Sequence, residues 1–154
     1  MQNKLKDILE TSKMFIQKLI SDEIETFNIE DLLGKKRNNS TKIKHIKKGI
    51  YFFYNDNNKI VYIGQGGDSK TDLNRRILQE LRCFKKTENG NNGGTISKNI
   101  MDSENESFDE DSFKKYISKW KLKILDLKNC KININIIEAI CIELYKPKYN
   151  IMGK

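Results

Sequence analysis

Glu138 is the acid whose sequence surroundings point most directly to chemistry. On a helix its neighbours at i−4, i+3, i+4 and i+7 are Ile134, Cys141, Ile142 and Tyr145. An ionised carboxylate among apolar side chains is costly unless a cation pairs with it. A lysine or arginine in a structural ion pair meets that need as well as a functional cation does. Arg76 is a second residue of interest. On a helix with Leu73, Ile77, Leu81 and Phe84 it falls at the edge of the apolar stripe, while Arg75 turns to water. Glu80 follows Arg76 by one turn, where an i,i+4 ion pair is possible. Tyr51 and Tyr62 complete the set. As a cross-strand pair they are either packing aromatics or two phenols presented together.

The elements that must position these groups follow from the pattern around them. Residues 49–54 and 59–64 are rich in Ile, Val, Tyr and Phe and are separated by Asn and Asp. That is hairpin chemistry. A two-residue turn at 56–57 or a four-residue loop at 55–58 both place Tyr51 opposite Tyr62, with Gly64 opposite Gly49. A slip of two residues would keep the phenols on one face, whereas an odd-length loop would not. Both strand faces are apolar enough to be at least partly covered. Residues 72–84 read as a helix, 87–94 (TENGNNGG) as a flexible loop, and 102–111 as an exposed connection, with a short helix starting near Thr95. Residues 120–127 (WKLKILDL) read as a third strand, and 132–145 as an apolar helix stopped by Pro147. Upstream, 4–20 has the spacing of an amphipathic helix and 28–33 that of a short one. Residues 35–48 hold basic side chains and no acid.

Composition narrows the class. The chain has 154 residues, with 29 basic against 21 acidic side chains and a net charge of +8. That is enough for one hydrophobic core. The basic excess favours encounter with polyanions. No run reaches the roughly 18 apolar residues of a membrane span, so no membrane association is expected. MQNKLKDILE lacks the apolar stretch of a signal peptide. Cys83, Cys130 and Cys141 are odd in number, without metal-ligand spacing, and fit reduced thiols in a cytoplasmic protein.

Gly49-Ile50-Tyr51 and Tyr62-Ile63-Gly64 resemble the signature of the GIY-YIG nuclease superfamily. Leu73-Asn74-Arg75-Arg76-Ile77 is similar to that family's following helix, whose motif arginine falls on Arg76. Glu138 falls at the place of its metal-binding glutamate. Pro147-Lys148-Tyr149-Asn150 resembles its terminal motif, whose asparagine falls on Asn150. The resemblance covers residues 48–151. It implies a small α/β (α+β) domain of GIY-YIG type at 46–154: a three-stranded antiparallel sheet flanked by helices, behind an N-terminal helical and basic extension at 1–45.

The resemblance further implies a compact restriction-type or phage-type endonuclease. Such an enzyme hydrolyses DNA phosphodiesters to 5′-phosphate and 3′-hydroxyl ends with one Mg²⁺ (or Mn²⁺) ion per active site. Catalytic roles then fall to Tyr51, Tyr62, Arg76, Glu138 and Asn150. Glu138 holds the metal, Tyr51 takes the proton of the attacking water, Tyr62 supports it, and Arg76 stabilises transition-state charge. Lys47, Lys48, Lys70 and Arg75 are candidate phosphate contacts, and a homodimer would help to cut both strands. A free tyrosine is only about 0.1% phenolate at neutral pH, and lowering its pKa by about 3 units takes about 4 kcal/mol. Lys47, Lys48, Arg76 and the metal are the expected sources. Many members carry histidine or tyrosine where Glu80 stands, and lysine where Gln65 stands. His45 lies just before the first strand of the hairpin. The alternative implied by these departures is an inactive nucleic-acid-binding module of the same fold.

Overall fold

The computed structural model describes residues 2–22, 24–34, 43–67 and 72–151. In chain order these form α1 (Gln2–Asp22), β1 (Ile24–Asn28), a 3-10 turn (Ile29–Asp31), β2 (Gly49–Tyr54), β3 (Ile60–Gly66), α2 (Leu73–Glu80), β4 (Lys85–Thr87), β5 (Gly90–Asn92), α3 (Thr95–Glu104), α4 (Glu110–Ile117), β6 (Lys121–Asp126) and α5 (Ile134–Tyr145). The architecture is α+β. The main sheet is antiparallel with strand order β1-β6-β2-β3. Among the described residues no helix is long and apolar enough to cross a membrane.

The expected three-stranded sheet is thus corrected to four strands. The extra strand is β1, paired along β6 from Ile24 opposite Leu125 to Asn28 opposite Lys121. Its sequence, IETFN, puts its two apolar residues three apart, and both are only half-buried. No period-2 pattern marks it as a strand. The free edge of β6 makes it one, since pairing and packing outweigh intrinsic preference in sheets. Two further expectations change. The segment expected as a flexible loop at 87–94 instead forms, with Lys85 and Lys86, a small exposed hairpin, β4–β5, closed by the Thr87 hydroxyl donating to the Gly90 carbonyl at 2.6 Å. The acids Asp109, Glu110 and Asp111, read as a solvated connection, instead open α4. Asp109 and Ser112 form a reciprocal capping box, and Phe113 and Ile117 carry the helix into the core.

Alternation along β2 divides the core. Tyr51 and Phe53 face one layer, with Leu73 and Ile77 of α2, Ile96 and Ile100 of α3 and Phe113 of α4. Ile50, Phe52 and Tyr54 face the other, with Ile134, Ile137 and Cys141 of α5 and Ile16 of α1. Every residue of β2 is buried, as expected for a central strand with two apolar faces. Each large apolar side chain so buried is worth about 1.5–3 kcal/mol.

The hairpin register differs from expectation. Tyr51 is opposite Gly64, Phe53 opposite Tyr62, and Gly49 opposite Gly66. The turn is responsible. Asn58 adopts a left-handed conformation (φ 57°), its N–H donates to the Asn55 carbonyl, and the Asn55 N–H donates to the Lys59 carbonyl. The loop therefore has three residues, an odd number, which alone would put the tyrosines on opposite faces. A register shift between Phe53 and Tyr54 leaves Val61 as an extra residue and restores the parity. Val61 and Tyr62, although adjacent, both enter the core layer of Tyr51.

Candidate active site

Four elements converge on a polar cleft of about 330 Å³ lined by Tyr51 (β2), Tyr62, Gly64, Gln65 and Gly66 (β3), Arg76 (α2) and Glu138 (α5). Tyr51 and Tyr62 are diagonal neighbours, with ring centroids 6.4 Å apart and planes inclined by 34°. Phe53 meets Tyr51 edge-on at 5.8 Å and holds it from behind. Gly64 passes directly beneath the Tyr51 ring, and a Cβ there would overlap its Cζ and Oη. The glycine is what lets the phenol lie across the strand into the cleft.

Arg76 is placed by the start of α2. Asp72 caps that helix, its carboxylate accepting from the Arg75 N–H at 2.7 Å. Arg75 points to solvent and Arg76 to the sheet margin, as the helical wheel requires. Helix α2 stops at Glu80, four residues before the expected end at 84. The Arg82 carbonyl accepts from the Gly94 N–H and the Ser97 hydroxyl, and the Phe84 N–H donates to Ser97 Oγ. These bonds draw the chain toward α3.

Glu80 is fully buried. Its Oε1 lies 3.0 Å from Arg76 Nη2, so the expected i,i+4 pair is present. Its Oε2 accepts from the Ile96 N–H at 2.9 Å, and the Thr95 N–H also approaches it. Glu80 therefore caps α3 from a distance, where the helix's own N-cap, Gly94, has no side chain to offer. A side chain at Gly94 would strike the Glu80 backbone, with its Cα only 2.6 Å away. Nothing in the local sequence marked Glu80 as buried. Its i,i+4 spacing to Arg76 and the Gly-Gly pair before Thr95 are the only hints.

The electrostatics run against one expectation. The Tyr51 pKa is raised well above its usual 10, first by burial, then by Glu80 and Tyr62, with Arg76 opposing. Tyr62 is raised as well, chiefly by burial. Arg76 was expected to help lower Tyr51; desolvation and the Glu80 charge outweigh it. Burial lifts Glu80 above the ordinary carboxylate range against Arg76 and the α3 N–H groups. Burial lifts Glu138 too, with Arg76 opposing. Arg76 stays charged: burial works to lower its pKa, but Tyr51 and Glu80 raise it overall.

Glu138 is half-buried and, among the described residues, has no hydrogen bond or ion pair. No group of three or more His, Cys, Asp or Glu that could form a metal cage occurs among the described residues. One open carboxylate in a polar cleft suits Mg²⁺, which keeps several waters and takes few protein ligands.

The other expected residues fall elsewhere. Asn150 is not among the cleft-lining residues. Its amide accepts from the Ile63 N–H and donates to the Ile63 carbonyl, both at 2.7 Å, while the Tyr149 N–H donates to the Val61 carbonyl. It seals the outer edge of β3. Lys47 is exposed and its carbonyl abuts Gly67, next to cleft-lining Gly66; Lys48 is half-exposed. Lys70 and much of the basic 35–48 segment (residues 35–42) lie outside the described residues. Gln65 donates to Asn135 of α5. His45 is exposed, 2.9 Å from Glu25 of β1, and does not line the cleft. No protein-family model, curated protein or solved structure matches the chain.

Proposed function

We propose that this chain is a divalent-metal-dependent DNA endonuclease of GIY-YIG type, yielding 5′-phosphate and 3′-hydroxyl ends. The observation carrying this reading is the meeting, at one cleft and from four separate elements, of Tyr51, Tyr62, Arg76 and a Glu138 that has no hydrogen bond or ion pair among the described residues. Glu138 would hold Mg²⁺ or Mn²⁺, which when bound offsets negative charge on the scissile phosphate. Arg76, a fixed cation at the cleft wall, stabilises the extra charge of the transition state. Tyr51 remains a neutral phenol whose oxygen accepts a hydrogen bond from the attacking water and aims it. Tyr62 packs beside it and directs its hydroxyl toward Thr95 and the phosphate. Lys47, Lys48 and Arg75 lie where backbone phosphates could pass, and the +8 charge draws DNA to them. Two copies acting together would cut both strands.

The test is plasmid nicking with Mg²⁺, with Glu138→Ala alongside. Nicking by the wild-type protein and its loss in the variant support the reading; nicking unaffected by the substitution refutes the metal assignment. A second reading, an inactive DNA-binding module, draws on the ion pair that engages Arg76 with Glu80. It predicts salt-sensitive DNA binding without nicking at any metal concentration.

A further inference from the structure

We infer that Glu80 is the final acceptor of the proton removed from the attacking water, reached through the Tyr51 hydroxyl. The inference rests on the endonuclease reading and concerns how its base works.

A phenol that stays neutral cannot be the terminal base, so the water's proton needs another destination. The Tyr51 hydroxyl is wholly buried, and among the described residues it makes no hydrogen bond of good geometry. Glu80 Oε1 is in the same condition: it touches Arg76 as an ion pair, yet no donor is well aligned on it. Two buried oxygens without a well-aligned partner among the described residues therefore stand in one cluster, where the Tyr51 hydroxyl and the Glu80 carboxylate approach each other as hydrogen-bonding groups. Buried polar groups left in that state are rare and need a reason. A path for a proton is such a reason, because it requires a donor able to turn between two partners.

The groups facing Glu80 are Arg76 from α2, Tyr51 from β2, Tyr62 from β3 and the Thr95 and Ile96 N–H groups from α3. Burial, the largest effect, raises the pKa of the carboxylate and makes it a stronger base than an exposed glutamate, while Arg76, the two N–H groups and Tyr51 favour its charged form. In the step, the water oxygen bonds to phosphorus as its O–H bond breaks. Its proton passes to Tyr51 Oη, and the hydroxyl proton of Tyr51 passes to Glu80 Oε1. The bond from phosphorus to the 3′ oxygen breaks with its electron pair on that oxygen, which takes a proton from solvent. Neutralising Glu80 also removes the counter-charge of Arg76. The guanidinium becomes uncompensated just as the phosphate gains negative charge.

The experiment is single-turnover cleavage with Mg²⁺ across pH, for wild type and Glu80→Gln, with circular dichroism confirming the fold. The expected wild-type rate falls about tenfold per pH unit below the titration of Glu80, and Glu80→Gln is slower by about 10²-fold with that acidic limb absent. A Glu80→Gln protein that keeps the limb, or loses less than about threefold in rate, overturns the inference. A purely structural role for Glu80 predicts that retained limb. If the glutamine variant does not fold, the wild-type rate in H₂O/D₂O mixtures decides. A bowed dependence on deuterium fraction marks two protons in flight, and a straight one overturns the relay. No cleavage by the wild type at any pH fails the endonuclease reading itself and the relay with it.

Discussion

The phenol of Tyr51 occupies the volume that a side chain on Gly64 would need. The two residues are direct partners across β2 and β3, so the ring lies over the partner strand where only a glycine leaves it room. Gly64→Ala is expected to push the ring out of the cleft. A displacement of about 1 Å at such a site costs on the order of 10²-fold in rate, and overpacking costs about 1–3 kcal/mol. Cleavage rate and denaturant midpoint measure the two effects, and a variant as fast as wild type would show that the position of Tyr51 is immaterial.

Tyr51→Phe separates stability from chemistry. The variant removes a buried hydroxyl that has no well-aligned hydrogen bond among the described residues, so it should stay within about 1 kcal/mol of wild-type stability and be inactive. A thermal melt beside a nicking assay tests this. A larger loss of stability would mean that the hydroxyl is well bonded in solution.

Glu138 should behave as a site residue that the fold tolerates with difficulty. Its folded-state pKa is raised, so the folded protein holds its proton more tightly than the unfolded chain does. The contribution of Glu138 to stability therefore improves as pH falls through its folded pKa, and is complete below the unfolded value of about 4.5. Glu138→Gln should flatten that part of the stability–pH curve and abolish cleavage. Mg²⁺ is expected to raise the melting temperature of the wild type, and the substitution should remove that rise.

Breaking the Arg76–Glu80 pair from one side leaves a carboxylate with no exposed surface uncompensated. Arg76→Leu is expected to cost about 3 kcal/mol, the lower end for a buried pair because Arg76 itself is a third exposed. The double variant Arg76→Leu/Glu80→Leu should recover most of this, falling short by about 1 kcal/mol for the lost cap on α3. Urea titration of the single and double variants reads the coupling directly.

Asn150 is expected to matter for the sheet more than for the reaction. Asn150→Ala strips Ile63 of partners for both its N–H and its carbonyl, at a cost of about 1–3 kcal/mol. Cleavage measured well below the melting temperature should fall by less than about tenfold. A loss as complete as that of Glu138→Gln, in a protein of wild-type stability, would place Asn150 in the chemistry.

What could be read from the chain was whatever a local pattern encodes. The alternating apolar strands, the stripe of α2 and the apolar face of α5 gave the elements, while the grouping of Tyr51, Tyr62, Arg76 and Glu138 came from the resemblance to the GIY-YIG motifs. The pairing register was not legible, because it depends on Asn58 taking a left-handed turn and on the extra residue at Val61, which together shift the hairpin by two. Strand β1 was not legible because its partner, β6, lies far along the chain. Glu80 gave the right neighbour in Arg76 but not the right depth. Its burial comes from Gly94 and the start of α3, which only tertiary contact brings against it. Asn150 was assigned by motif to the reacting centre, whereas its amide is engaged by the backbone of Ile63.

The strand order β1-β6-β2-β3 sets a sequence of events for a chain emerging from the ribosome. The β2–β3 hairpin can close as soon as it appears, since its partners are adjacent. β1, made earlier, has no neighbour until residues 121–126 arrive, and β6 must then insert between a waiting strand and a finished ribbon. Such long-range closure is slow, and it leaves IETFN and the flank of β2 open to stray pairing in the interval.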